Sequence, residues 1–317
     1  MDIRSVKFDS DFPRIVDLIN QVEPEPVTLA QLQQWTQRLP PGRVYRQMVA
    51  TDGQELAIGY SEAIHETWSP ADHFYVWVVV DQPRRRRGVG AALYAEVQEF
   101  LLAQGAASLA SEVRDNDPDA LRFAEQRGFS VDRHHFESRL DLTTIDETPY
   151  QPAIAALEAA GMRFFSLADL NDSQEARLRL YELNRVTALD IPGSKVAFRT
   201  FAEFEQTVFH SEWYRPEGQL VVADGETWAG LSAVRLMPQT RGAYNLMTGV
   251  LRAYRGRKIA QALKLKAICY AHQHGARYIL THNDSLNAPI LAINQKLGYQ
   301  PKPGKYILKG SATIEKG

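Results

Sequence analysis

The 317-residue sequence contains a single cysteine, Cys269, and lacks long apolar runs. One cysteine cannot form an internal disulfide, so the chain is not a disulfide-stabilised scaffold, and we expect a cytoplasmic location. The apolar run that ends at Val80 is far shorter than the roughly 20 residues that a membrane-spanning helix needs. The first residues are charged and carry no apolar signal segment, so we expect no secretory leader.

Lysine is nearly absent from the first half of the chain. Residues 1–145 contain one lysine, Lys7, and carry 15 basic against 22 acidic side chains, whereas residues 146–317 carry 21 against 16. Two different charge balances indicate two domains. An acidic first half binds nucleic acid poorly, despite its Arg84–Arg87 cluster, so we expect neither a nucleic-acid nor a membrane partner. A composition of 44% hydrophobic and 23% charged residues excludes a disordered chain.

A repeat with an offset of 170 residues runs through the chain. Arg85–Leu93 aligns with Arg255–Leu263, and Gln126–Phe129 aligns with Lys296–Tyr299 at the same offset. A period of this length indicates a duplicated domain rather than a solenoid. We therefore predict two contiguous domains, residues 1–145 and 162–317, joined by a linker at 146–161.

Both copies show the same predicted order of elements. A short strand is followed by two amphipathic helices, a hairpin, an apolar strand, a loop rich in glycine and arginine, a long helix, a strand, a helix and a final strand pair. A strand–helix–strand crossover inside an otherwise antiparallel sheet gives a mixed α/β (α+β) fold in each copy.

The loop between the apolar strand and the long helix carries the clearest chemical signal. In the first copy it spans Arg85–Gly90, with glycines at positions 88 and 90. Glycine allows the backbone to approach a ligand closely, and the free amides and dipole at a helix start attract anions. The loop matches neither the P-loop nor the dinucleotide-binding glycine pattern. It therefore predicts a phosphate site, with a solvated loop or a nucleic-acid patch as the alternatives.

This loop, within this order of elements, resembles the GNAT superfamily of acetyl-CoA-dependent N-acetyltransferases. The resemblance covers both copies and implies two tandem GNAT-like domains, each a mixed, mostly antiparallel sheet flanked by helices. It implies acetyl-CoA as cosubstrate, without a metal, and direct transfer of the acetyl group in a ternary complex. The acceptor would be a primary amine of a small molecule or a peptide. We expect a monomer or a homodimer.

The resemblance also implies residues that bind the cosubstrate. In the family, the loop holds the pyrophosphate of CoA, and the backbone of the strand before it holds the pantetheine arm. The positions implied in the first copy are Val78, Val80, Arg85, Arg86, Arg87, Gly88, Val89 and Gly90. Those implied in the second copy are Thr248, Val250, Arg255, Gly256, Arg257, Lys258, Ile259, Ala260 and, from the later helix, Asn287.

Two departures from the family pattern bear on activity. Lys258 replaces the first glycine of the loop, which is tolerable in helical backbone space but impairs binding if the position needs a positive φ. The tyrosine that many members use to protonate the departing thiolate is replaced by Ala124 and Asn294, which leaves a water or another tyrosine for that task. A non-catalytic CoA-binding scaffold or sensor is therefore the alternative function.

We expect the general base near the end of the strand that follows the long helix. A neutral amine must attack the thioester, so a carboxylate or an imidazole has to accept a proton. Glu112 and His282 lie at equivalent positions of the two copies, with Glu62 and Glu66 as rivals in the first. The complete glycine pair favours the first copy as the catalytic one, whereas the polar strand end and the family resemblance favour the second. We therefore expect the second copy to be the catalytic one. If both loops bind phosphate, we expect about two CoA per chain.

Overall fold

The fold is described from a computed structural model, for residues 1–23, 26–37, 44–65, 69–192 and 198–312. The chain divides into two compact units. Unit 1 consists of Met1–His134 together with the C-terminal residues from Lys305 onward, and unit 2 consists of His135–Gly304. Each unit is described by itself below.

Unit 1 contains four helices and seven strands or parts of strands among its described residues. In chain order these are β1 (Asp2–Ser5), α1 (Phe8–Asn20), α2 (Leu29–Gln37), β2 (Tyr45–Thr51), β3 (Ala57–Ile64), β4 (His73–Val80), α3 (Val89–Ala103), β5 (Ser108–Arg114), α4 (Pro118–Glu125), the start of β6 (Ser130–Asp141) and, from the end of the chain, β13 (Lys305–Ser311).

Unit 2 begins within β6 and repeats the same plan. Its further elements are α5 (Gln151–Ala159), β7 (Met162–Ser166), α6 (Gln174–Ala188), α7 (Phe201–Phe204), β8 (Gln219–Asp224), β9 (Thr227–Met237), β10 (Gly242–Val250), α8 (Ile259–Gln273), β11 (Tyr278–Asp284), α9 (Ala288–Lys296) and β12 (Gln300–Pro301).

The two sheets have matching topologies. In unit 1 the strand order is β1-β2-β3-β4-β5-β13, and every neighbouring pair is antiparallel except the parallel pair β4/β5. In unit 2 the order is β7-β8-β9-β10-β11-β6, again with one parallel pair, β10/β11. The mixed α/β class with mostly antiparallel sheets, predicted from the sequence, is confirmed.

The long helix α3 packs directly on the hairpin of unit 1. Its buried residues Val89, Leu93, Val97 and Leu101 recur every four positions and so form one apolar stripe. The helix sits close because β3 has a glycine beneath it: a Cβ at Gly59 would lie 2.8 Å from Leu93 Cδ1. This close packing fixes the start of α3, and with it the loop that precedes the helix.

The last strand of each repeat lies in the sheet of the other unit. From His135 to Asp141, β6 pairs with β11 of unit 2, and β13 at the end of the chain pairs with β5 of unit 1. The packing units therefore differ from the contiguous ranges 1–145 and 162–317 predicted from the repeat. A sequence repeat records the order of strands along the chain, whereas a packing unit depends on which sheet edge each strand joins.

One further expectation differs from the structure. The strand pair predicted at the end of the first copy is a single 12-residue strand, β6. Within the predicted linker, residues 146–161, the sequence indicates a short helix at Ala153–Ala160, and the chain there forms helix α5, whose Ile154 is buried in the core of unit 2. The two prolines, Pro149 and Pro152, lie in the first turns of a 3₁₀ helix and of α5, where proline is compatible with a helix.

Ending the chain at Gly304 should open unit 1 and spare unit 2. The deletion removes the strand that covers β5 and also removes Leu308, which is buried in the core of unit 1. Loss of one such leucine side chain alone costs about 2–5 kcal/mol. Hydrogen exchange should show lost protection in Ser108–Arg114 and retained protection in Tyr278–Asp284.

A chain that ends at Ala312 is the matched control, because it keeps β13 and should retain the protection of both segments. Full protection of Ser108–Arg114 in the chain that ends at Gly304 would contradict the assignment of β13 to unit 1.

Candidate active site

The parting of two parallel strands creates the site in unit 1. β4 and β5 pair only from His73–Tyr75 to Ser108–Ala110. Beyond that point β4 stays with β3, and β5 stays with β13. A cavity of about 430 Å³ opens between them, with walls also from α3 and α4. A main-chain edge exposed in this way can pair with an extended ligand, as a sheet edge does with a peptide.

The loop before α3 closes one end of this cavity. Arg85, Arg86, Gly88 and Gly90 all line it. Gly88 has a φ of +83°, which is left-handed, and directly precedes the first turn of α3. Gly90 provides clearance, because a Cβ there would lie 3.2 Å from the ring of Phe123. The helix start and the adjoining arginines give this end of the cavity the donors and positive charge that a phosphate requires.

The loop of unit 2 has the same backbone shape with its residues interchanged. Both loops use left-handed φ at the same two places, Arg86 and Gly88 in unit 1 and Gly256 and Lys258 in unit 2. Lys258 has a φ of +63°. It therefore adopts the positive-φ backbone conformation that is unfavourable for lysine. A non-glycine residue in that region costs about 1–2 kcal/mol.

The leading arginine of each loop is anchored twice. Arg85 donates from Nε to the Val80 carbonyl at 3.3 Å and from Nη1 to Asp117 at 2.9 Å. Arg255 donates in the same way to the Val250 carbonyl at 3.2 Å, and it also pairs with Asp190. Arg252 binds the same carboxylate, and these hydrogen bonds lower the pKa of Asp190.

The remaining predicted binding residues have different surroundings. Val78 and Val80 line the cavity of unit 1, whereas the side chains of Val89 and Ile259 are buried in the cores beneath their loops. Only the main chain of those two residues remains for a ligand. The others lie as follows: Arg87 and Arg257 are exposed, Ala260 is half-buried, Thr248 donates to Asn245 at 3.1 Å, Val250 is buried, and Asn287 occupies the N-cap position of α9 without a capping side-chain bond.

Glu112, the candidate base of unit 1, lies in the cavity wall beside a lysine from the far end of the chain. Lys305 Nζ donates to Glu112 and also to Glu23 Oε1 at 3.0 Å, and all three residues line the cavity. Burial alone would lower the pKa of Lys305, but the hydrogen bonds and charges of these two carboxylates outweigh it and raise the pKa. The lysine therefore stays cationic beside the Glu112 carboxylate.

The other candidate bases have different surroundings. Glu62 Oε2 accepts hydrogen bonds from the Tyr60 hydroxyl at 2.5 Å and from Gln47 at 3.0 Å; Glu66 lies outside the described residues. His282 in unit 2 is exposed, and its ring lies 5.2 Å from that of His135. Partial desolvation and the neighbouring His135 lower the pKa of His282.

Buried polar side chains occupy the equivalent positions in unit 2. Lys264 Nζ donates to Asn245 Oδ1 at 2.9 Å, Asn294 donates to Asn283 Oδ1 at 2.6 Å, and Asn283 donates to Ser138 Oγ at 2.9 Å. All five side chains are buried. In unit 1 the positions of Lys264, Asn283 and Asn294 are held by Tyr94, Val113 and Ala124, which line the cavity.

Comparison with known proteins identifies the family of this chain. The sequence profile of the Acetyltransferase (GNAT) family matches residues 10–129 and 188–299. The chain belongs to the GNAT acetyltransferase family. Members of this family transfer an acetyl group from acetyl-CoA, and the duplicated match shows the tandem architecture. The resemblance identified from the two loops is thereby confirmed.

Individual relatives of this GNAT protein are distant. Mycothiol acetyltransferase of Corynebacterium glutamicum is 30% identical over 90 residues, which cover 28% of this chain and 30% of that protein. A GCN5-related N-acetyltransferase from Sphaerobacter thermophilus superposes with a TM-score of 0.66 at 17% identity, over 99% of this chain and 96% of the other. A tandem GNAT protein from the clavulanic acid biosynthesis pathway gives 0.62 at 20% identity, over 99% of both chains. At these identities the two structures support the fold alone.

Two further kinds of feature are absent from the described part of this GNAT protein. Over the described ranges, which omit five short segments, no helix is long and apolar enough to span a bilayer. Over those same ranges, no three His, Cys, Asp or Glu side chains converge as metal ligands would.

Three residues of the two clefts were not predicted from the sequence. Lys305 lies 193 positions from Glu112 along the chain, and only the strand exchange brings the two together. Tyr94 and Lys264 were readable in principle, because each lies four residues after the second small residue of its loop, Gly90 or Ala260. That spacing places them on the loop-facing side of the helix.

Replacing Lys264 with methionine should stabilise unit 2 in a pH-dependent manner. Burial lowers the pKa of Lys264 from 10.5 to about 7, so between these pH values the unfolded chain binds a proton that the folded chain does not. The unfolding free energy contributed by this group therefore rises with pH across that window. The free energy of unfolding of Lys264→Met should exceed that of the wild type by about 3 kcal/mol at pH 6.5. This difference in unfolding free energy should shrink toward pH 10.

The measurement is urea unfolding of both proteins at several pH values. Lys266→Met, on the same helix but partly exposed, serves as the control and should show a small, pH-independent difference. A Lys264→Met protein less stable than the wild type at pH 6.5 would show that the network depends on the ammonium group.

Proposed function

We propose that this protein is an N-acetyltransferase that moves the acetyl group of acetyl-CoA to a primary amine of a small molecule, by direct transfer in a ternary complex. The open cavity of unit 1 carries this proposal. Its walls combine a phosphate-type loop, an unpaired edge of β4 and a carboxylate, Glu112. These are the three components that an anionic thioester and an amine together require.

Different residues of unit 1 would have different roles along the cavity. The loop at Arg85–Gly90 would bind the pyrophosphate, and the main chain of Val76–Val80 would pair with the pantetheine arm and polarise the thioester carbonyl. Glu112, which Lys305 contacts, would accept the proton that the amine loses. An acidic wall containing Glu23 and Glu112 also suits an acceptor that arrives as an ammonium ion.

Unit 1 rather than unit 2 is proposed as the catalytic unit. The family resemblance favoured the second copy, but the cleft of unit 2 is occupied by the hydrogen-bonded side chains around Lys264 and Asn283. Its loop also places Lys258 at a positive φ. We propose that unit 2 is a degenerate copy whose role is structural. The alternative of a non-catalytic domain would then apply to unit 2 and not to unit 1.

Substitution of Glu112 should remove turnover where substitution of His282 does not. A panel of primary amines, assayed by release of free CoA from acetyl-CoA, identifies an acceptor for the wild type. With that amine, Glu112→Gln should lower kcat by about 100-fold or more, because proton transfer by a positioned base contributes on this scale. His282→Gln, at the equivalent position of unit 2, should stay close to the wild-type rate.

The reverse pattern, with His282→Gln inactive and Glu112→Gln active, would place the chemistry in unit 2. Loss of activity in Glu62→Gln but not in Glu112→Gln would move the base to the hairpin.

Calorimetric titration with CoA should give one equivalent per chain rather than the two expected if both loops bind phosphate. We expect the buried polar side chains of unit 2 to exclude the pantetheine arm from the space beside its loop. Gly90→Val should abolish the binding heat, because its side chain would meet Phe123 and Val80, whereas Ala260→Val should leave it intact. Two equivalents in the wild type would show that the unit 2 network opens for the ligand.

A further inference from the structure

A buried tyrosine of unit 1 has no assigned role. Tyr94, on α3, is 4% exposed, and its side chain forms part of the cavity wall. Among the described residues its hydroxyl has no hydrogen-bond partner. A buried hydroxyl without a partner costs folding free energy, and unpaired groups of this kind call for a functional explanation.

The position of Tyr94 along the cavity points to the reacting end of the cosubstrate. Tyr94 is four residues beyond Gly90, which is about 6 Å along the helix. α3 runs back along β4, as the helix of a strand–helix–strand crossover does, and 6 Å corresponds to about two residues of a strand. Tyr94 accordingly packs in one cluster with Val76 and Val78. A ligand that is anchored by its phosphates at the loop and extends along β4 therefore has its far end beside Tyr94.

The surroundings of Tyr94 suit a proton donor. Burial raises the pKa of Tyr94, so the hydroxyl keeps its proton at neutral pH. The guanidinium of Arg127 lies 5.5 Å from the ring centroid and opposes that increase in pKa. The same cation stabilises the phenolate that remains once the proton has left. Arg127 is itself fixed by a 2.9 Å hydrogen bond to the Phe123 carbonyl.

Position 124 offers no competing acid. Ala124, on α4, is buried in the same cluster as Tyr94 and presents only a methyl group. The small side chain leaves room beside Tyr94, and both residues line the cavity. The departing thiolate still needs a proton in an apolar setting, since Val76, Val78 and Phe129 surround this part of the cavity.

We propose that the Tyr94 hydroxyl donates its proton to the sulfur of CoA as the acetyl group is transferred. This inference rests on the proposed function of unit 1. The amine nitrogen bonds to the carbonyl carbon, the carbon–sulfur bond breaks with its electron pair on sulfur, and the Tyr94 proton converts the thiolate into the thiol. The proton lost by the amine passes to Glu112. Exchange with solvent then returns a proton to Tyr94 and removes one from Glu112.

The test compares Tyr94→Phe with Tyr299→Phe. Tyr299 in unit 2 also has a buried hydroxyl without a partner among the described residues, so both changes remove one unpaired hydroxyl. Each variant should unfold at the wild-type Tm or above it, because neither loses a protein hydrogen bond. Tyr94→Phe should lower kcat by about 100-fold and keep its KM for acetyl-CoA within about threefold of the wild type. Tyr299→Phe should keep the wild-type kcat.

Different results overturn different statements. Release of CoA by Tyr94→Phe at the wild-type rate overturns the proton-donor role while leaving the proposed function intact. A raised KM with unchanged kcat also overturns it, because the hydroxyl would then bind the ground state only. A Tm below that of Tyr299→Phe would assign Tyr94 a structural hydrogen bond and overturn it too. If the wild type releases no CoA with any amine, the proposed function fails, and this inference fails with it.

Discussion

The early end of one parallel ladder is the constraint on which the candidate site depends. β4 and β5 pair for three residues and then follow different partners, β3 on one side and β13 on the other. Because each strand keeps its outer neighbour, the gap between them is held open by two antiparallel ladders rather than by side chains. The loop, Glu112 and Tyr94 are useful only because they border this gap.

The same framework supports opposite outcomes in the two units. In unit 1 the gap is lined by Val113, Ala124 and Tyr94. At the same positions of unit 2, Asn294 donates to Asn283, and Lys264 donates to Asn245. Opening this part of unit 2 would leave the buried Asn283 and Asn294 side chains unpaired, which costs free energy. Duplication thus preserved the backbone while the side chains of one cleft diverged toward core packing.

Much of the fold was predictable from the sequence because each element occurs in both copies of the repeat, so its prediction in one copy could be compared with the other. The strand–loop–helix around Arg85–Gly90 and its copy were found from glycine and arginine spacing, which encodes local backbone geometry. The exchange of β6 and β13 was not predictable, since either strand satisfies either edge by its pattern alone. For the same reason the Lys305–Glu112 pair was missed, and Lys258 could be judged only once its backbone angle was known.

The location of β13 also imposes an order of assembly during synthesis. Residues 135–304 must all be translated before the strand that completes unit 1 exists, which takes about 10–30 s at 5–20 residues per second. Throughout that interval β5 is an open sheet edge, the kind of surface that recruits other chains. Charged side chains on edge strands discourage such pairing, and β5 carries two, Glu112 and Arg114. Glu112 and Arg114 therefore discourage pairing with other chains before β13 is made.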